Sequence, residues 1–187
     1  MQRSLVGSEM CIRDRTQLLG FIVEKATGEK LSDYVSRKLW TPMHAEESAL
    51  WSLDRKDGME KAYCCFNSNA RDFARFGQLL LNNGQWDDRQ LISPAYLAEA
   101  TSPDTRLVYK DLGKPNHCYG FQYWILDYKG MKIPYMRGIL GQYVFTLPEK
   151  NAVIVRLGHK RSDTYTADQH YPDDINTWLD AAMDLLQ

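Results

Sequence analysis

Apolar residues recur at helical spacing through the first hundred positions and then change to alternating or continuous runs. Thr16–Thr27 carries Leu18, Leu19, Ile22 and Val23 at helical spacing, and Gly28 follows where a left-handed C-terminal cap is favoured. Ser32–Trp40 is a second short helix, with Leu31, Val35 and Leu39 on one face and Pro42 stopping it. After a polar turn at Asp54–Gly58, Asn67 or Ser68 caps a helix over Asn69–Asn83. Its apolar stripe is Phe73, Phe76, Leu79 and Leu80, and Gly84 ends it. Ser93-Pro94 pairs a capping hydroxyl with proline at the first helical position, which predicts a helix through Ala100.

Beyond a polar connection at Thr101–Cys118, the pattern is that of strands. Tyr119–Leu126 and Met131–Arg137 flank a turn at Asp127–Gly130. Leu140–Leu147 and Ala152–Leu157 flank Pro148–Asn151, and the run Ala152–Val155 is apolar throughout, as in a strand buried on both faces. Asp173 then caps a helix with Ile175, Trp178, Leu179, Ala182 and Leu186 on one side. Helices, an antiparallel meander and a closing amphipathic helix give an α+β class. Residues 16–118 form the mainly helical part, and 119–187 the sheet with its terminal helix.

Met1–Arg15 fits neither pattern. It has no signal-peptide core, and Leu5–Arg15 resembles the translated end of a transposon-derived sequencing adapter. The expectation is a non-native tail over 1–15, a native chain from Thr16, and further coding sequence upstream. Compartment stays unassigned.

Composition narrows the function. Lys and Arg number 23 against 24 Asp and Glu, a near-balance unlike the basic excess of nucleic-acid binders. Aromatics at 12% exclude a disordered chain, and no apolar run approaches the roughly 20 residues of a membrane span. Cys64-Cys65 lacks the spacing with which two thiolates close on one zinc, and His44, His117, His159 and His170 are scattered, so no metal site is expected. The cysteines, Cys118 included, read as small buried hydrophobes, with a Cys65–His159 catalytic pair as the alternative. Arg71 and Arg75 share a helix face beside Asp72, where salt bridging is the ordinary outcome. Trp51, Tyr63, Phe66, Tyr119, Tyr123 and Trp124 are candidates for core or for a pocket wall.

Arg137–Gln142, RGILGQ, is more informative. Two glycines three apart at a strand end suggest an irregular backbone, and an exposed N–H there suits an oxyanion. A bulge or tight turn is the other reading.

Three stretches together carry a family likeness: TQLLGFIVEKATGEKLSDYV, AYCCFNSNARDFARFGQLLLNNGQW and RGILGQYVFTLPEKNAVIVRLG. The chain resembles the class C β-lactamase-related serine hydrolases, most of all the 6-aminohexanoate-dimer hydrolases and related esterases. The resemblance runs over nearly all of Thr16–Gln187 and implies the C-terminal half of a β-lactamase/DD-peptidase-like fold. It also implies bacterial origin, a small amide or ester substrate and acyl-enzyme chemistry without a cofactor. The family's serine belongs to a Ser-x-x-Lys motif, and that spacing does not occur after Arg15; Ser36-Arg37-Lys38 is one residue short. The nucleophile and its tyrosine partner are therefore expected upstream.

The family's Lys/His-x-Gly motif falls on Met136-Arg137-Gly138, so the resemblance implies that the Ile139 N–H is the oxyanion-hole donor. Met136, Arg137, Gly138, Gly141, Gln142 and Tyr63 are the implied substrate-binding residues. Met136 replaces the family's cation, and Arg137 points to the opposite face if the strand is regular. This favours an amide or ester without a required carboxylate over a β-lactam. A non-catalytic penicillin-recognising or cell-wall-binding homologue is the alternative.

Overall fold

A computed structural model describes residues 3–109, 113–166 and 170–186. The chain divides into two compact units, Met1–Asn69 and Ala70–Gln187.

The first unit opens with α1 (Arg3–Thr27), followed by α2 (Leu31–Val35), a π-helical turn at Ser36–Trp40, and the short pair β1 (Leu50–Trp51) and β2 (Phe66–Asn67). α1 starts well before Thr16, correcting the expectation that the preceding segment is neither helix nor strand. Once a helix is nucleated, each added residue gains a hydrogen bond, so propagation needs no amphipathic pattern. Gly28, at φ 71, closes the helix as expected.

The buried edge of α1 differs from the apolar stripe. Leu18, Leu19 and Ile22 are exposed, whereas Gly20 is buried against Ala62, Met59 and Leu31. Gln17 secures the same edge: its Oε1 accepts from the Ala62 N–H at 3.0 Å and its Nε2 donates to the Glu60 carbonyl at 3.2 Å. A small residue and an amide make this contact, and a hydrophobicity pattern registers neither.

The second unit begins with α3 (Ala70–Leu81), then β3 (Gln85–Trp86), β4 (Arg89–Gln90), α4 (Pro94–Ala100), β5 (Val108–Tyr109) and β6 (Lys114–Pro115). The cap at Ser93 forms as expected, its hydroxyl accepting from the Tyr96 N–H. The connection read as unstructured contains the β5–β6 pair; residues 110–112 of it lie outside the described residues.

A four-stranded antiparallel sheet follows: β7 (Trp124–Tyr128), β8 (Met131–Arg137), β9 (Tyr143–Leu147) and β10 (Ala152–Arg156), in spatial order β10-β9-β8-β7. β7 starts five residues later than expected because the chain first folds back, with Tyr119 bridging to Trp124 and Gln122 left-handed at φ 64. Strand β9 starts at Tyr143 because Leu140 belongs to a 3-10 turn at Ile139–Gly141. The β7–β8 hairpin turns on Lys129-Gly130, both left-handed at φ 52 and 85. This is the geometry that matches strand twist.

The two sheet faces are covered by different helices. One face carries Leu126, Tyr128, Ile133, Tyr135, Tyr143, Phe145 and Leu147, which form the core with Ile175 and Leu179 of α5 (Asp174–Leu185). Each fully buried aliphatic side chain of α5 contributes about 1.5–3 kcal/mol. α3 lies on the other face, over β9 and β10, with Gly77 against Val153 and Val144. The strand buried on both faces is therefore β9, whose five residues are all buried, and not the more apolar β10. β10 is an edge strand, and position in the sheet outweighs composition. At α5, Asp173 makes no side-chain cap; its Oδ2 accepts from the Thr164 hydroxyl at 2.5 Å. Among the described residues no helix is long and apolar enough to cross a membrane.

Candidate active site

The glycine pair lies where the β8–β9 ladder ends. The ladder pairs Tyr135 with Phe145, Met136 with Val144 and Arg137 with Tyr143, and the Gly138 N–H then donates to the Gln142 carbonyl at 2.8 Å. Between these ends the chain makes the 3-10 turn Ile139–Gly141, in which Leu140 is left-handed (φ 57, ψ 21) and Gly141 has φ 83. Ile139 stands first in the turn. Its N–H precedes any intra-turn acceptor and lies beyond the last rung of the ladder. Ile139 and Leu140 are 65% and 51% exposed, and Gly141 is buried.

Regular pairing through Arg137 fixes the directions of two candidate side chains. Met136, opposite Val144, shares the α3-facing side of the sheet. Arg137 shares the other side with Tyr135 and Tyr143. Its guanidinium carbon sits 3.5 Å from the Trp124 ring centroid, and Nη1 donates to the His170 carbonyl at 2.6 Å. The Arg137 guanidinium is held in the packing of the second unit, on the face away from Met136.

Gln142 and Gly141 are likewise engaged within the protein. Gln142 Nε2 donates to the Gly158 carbonyl and its Oε1 accepts from the Gly158 N–H at 3.2 Å. Gly141 presents its carbonyl to Arg156 Nη1 at 2.7 Å. These contacts make the two residues part of what holds the turn. Sequence reading missed Arg156 and Gly158; the signal is an arginine ending an apolar strand, with glycine two residues later.

Tyr63 lies in the first unit and is 41% exposed. Cys64 and Cys65 are joined as a disulfide, with Cys65 exposed and left-handed at φ 67. This overturns their reading as buried hydrophobes and leaves Cys65 no thiol with which to act beside His159. Cys118 is buried as expected. Trp51 donates its indole N–H to the Lys61 and Cys64 carbonyls and packs edge-on against Phe66. Tyr119 packs edge-on against Trp124. Burial pushes the Tyr123 phenol up to about 12, and raises Tyr119 and Tyr135 as well. Arg75 pairs with the fully buried Asp72 at 3.2 Å, the expected salt bridge. Among the described residues no three His, Cys, Asp or Glu side chains come together to hold a metal.

Comparison with known proteins bears on the family and the fold. A 6-aminohexanoate-dimer hydrolase of Paenarthrobacter ureafaciens is 27% identical over 146 residues, 76% of this chain and 37% of that protein. A solved structure from Bacillus anthracis, provisionally a 6-aminohexanoate-dimer hydrolase, is 26% identical with a TM-score of 0.72, covering 90% of this chain and 41% of that one. A β-lactamase from Mycobacterium bovis shares the fold at 18% identity, with a TM-score of 0.63 over 91% of this chain and 62% of its own. The chain thus spans about two-fifths of the length of the curated relative (37%). Residues 15–174 match the Beta-lactamase family, and with the antiparallel sheet, its covering helices and the Gly-x-x-Gly turn in place, the chain belongs to the β-lactamase-related serine hydrolases.

Proposed function

We propose that the protein containing this chain cleaves amide or ester bonds of small molecules through an acyl-enzyme, and that this chain supplies one oxyanion-hole donor, the Ile139 N–H. The observation that carries the reading is the break in the β8–β9 ladder. It leaves that N–H at the head of an exposed turn, outside the strand pairing.

In such a reaction a serine hydroxyl attacks the carbonyl, and negative charge gathers on its oxygen. A preset N–H stabilises that charge without reorganising, and one such donor is worth about 2.7–4 kcal/mol of transition-state stabilisation. The attacking serine and its lysine are not part of this chain, so the 187 residues alone are inert in this reading. On the resemblance, Met136 puts a thioether at the position of the family's Lys or His, which favours neutral substrates. The Paenarthrobacter ureafaciens relative is a 6-aminohexanoate-dimer hydrolase, in keeping with amide cleavage.

The test is labelling by a serine-reactive fluorophosphonate. The 187-residue chain stays unlabelled, and the protein extended by its genomic reading frame upstream of Thr16 is labelled at one serine. A labelled 187-residue chain, or an unlabelled extended protein, overturns the proposal. A second reading is a non-catalytic penicillin-recognising or cell-wall-binding homologue. An extended protein that ignores the fluorophosphonate and still retains fluorescent penicillin reversibly would establish it.

A further inference from the structure

We infer that Arg156 is a positioning residue for the Ile139 N–H, an assignment that rests on the reading of Ile139 as an oxyanion donor. Arg156 ends β10 directly opposite Tyr143, on the sheet face away from Met136, so it acts on the turn from behind. Its Nη1 donates to the Gly141 carbonyl at 2.7 Å and its Nη2 to the Lys160 carbonyl at 2.8 Å. The guanidinium carbon lies 4.6 Å from the Trp178 ring centroid and 5.7 Å from that of Tyr143. Two carbonyls from separate segments are thus held by one planar fork, which a lysine ammonium does not reproduce.

The surrounding backbone is shaped to admit this group. A Cβ on either Gly141 or Gly158 would overlap Arg156 Nη1, so both positions accept the guanidinium only as glycine. Gln142 completes the clamp through its two-way amide contact with Gly158. The turn is therefore fixed at Gly138 by the last rung, at Gly141 by Arg156 and at Gln142 by Gly158. Only Ile139 and Leu140 lie between these points.

Leu140 adopts a left-handed backbone that a residue with a Cβ disfavours. Such a conformation persists while its surroundings over-determine it. Releasing the Gly141 carbonyl lets Leu140 relax and rotates the Ile139 peptide with it. A catalytic group displaced by about 1 Å loses on the order of 10²-fold in rate.

Two measurements test this on R156Q and R156K. In the 187-residue chain, 15N–1H spectra follow the Ile139 amide. R156Q shifts that resonance and those of Leu140 and Gly141 while the core amides of β9 stay in place. In the upstream-extended protein, hydrolysis of p-nitrophenyl acetate gives a kcat about tenfold lower for R156Q with KM unchanged within about twofold, the signature of an interaction made in the transition state. R156K, with one donor group for two carbonyls, recovers part of that loss. An unshifted Ile139 amide, an unchanged kcat, or a raised KM at constant kcat each overturns the inference. If the wild-type extended protein hydrolyses nothing, the proposed function fails, and the spectra still decide whether Arg156 holds the turn.

Discussion

Gly77 of α3 lies so close to Val153 of β10 that a Cβ on the glycine would stand 2.5 Å from one valine methyl and 2.9 Å from the other. The helix rests on the sheet because this position has no side chain. Gly77→Ala gains about 0.8–1.0 kcal/mol of helix propensity. It also forces a methyl against two branched valines, and overpacking of that kind costs typically 1–3 kcal/mol. The expected outcome is net destabilisation in urea unfolding, with part of the loss recovered in Gly77→Ala/Val153→Ala. A stabilised single variant would show that α3 is free to lift.

Asp72 is fully buried and its Oδ1 meets Arg75 Nη1 at 3.2 Å. Removing the counter-charge of a buried carboxylate is costly, so Arg75→Met should cost up to about 3–5 kcal/mol. Asp72→Ala/Arg75→Met should cost less than the sum of the two single changes. Additive losses in that cycle would mean that the two residues act independently.

Burial holds the Tyr123 phenol at about 12, whereas the unfolded chain releases the same proton near the ordinary tyrosine value of about 10. The folded state binds this proton more tightly, so the associated stability is complete below pH ~10 and is lost as pH rises towards ~12. Tyr135 is raised in the same direction by burial. The urea midpoint should stay level below pH ~10 and fall above it, more gently in Tyr123→Phe. Tyrosinate absorbance tracks the titration directly. A midpoint that stays level through that range would contradict the assignment.

Ile139→Pro deletes the proposed donor with little disturbance. Proline is favoured at the first position of a helical turn, and Gly138, extended at φ −103 and ψ 178, suits the residue before proline. In the upstream-extended protein, kcat should fall by about 10²–10³, with the melting temperature of the 187-residue chain little changed. Full activity in this variant would remove Ile139 from the site.

Local chemistry made much of the fold legible in the sequence. Ser93-Pro94, Gly28 and Gly84 mark helix ends through backbone conformations that few other residues serve, and α5 buries Ile175 and Leu179 from the stripe its spacing defines. What was missed depends on partners distant in sequence. The apolar run Ala152–Val155 does not reveal that it forms an edge, and Leu18 and Leu19 do not reveal that Gly20 makes the contact. At the candidate site, the glycine pair locates the turn. The roles of Arg137, Gln142 and Arg156 follow from carbonyls that come within reach once the sheet has formed.

The tight hairpin Lys129-Gly130 governs more than its own corner. Because side chains alternate along a strand, a residue inserted after Gly130 that kept the two-residue turn and slipped β8 by one position would exchange the outlooks of that strand's odd and even positions. The thioether of Met136 would then occupy the aromatic niche of Trp124, and the guanidinium of Arg137 would emerge on the opposite side. The parity set at this corner thus decides whether the far end of the strand offers a neutral or a charged surface, and with it which ligands that surface can accept.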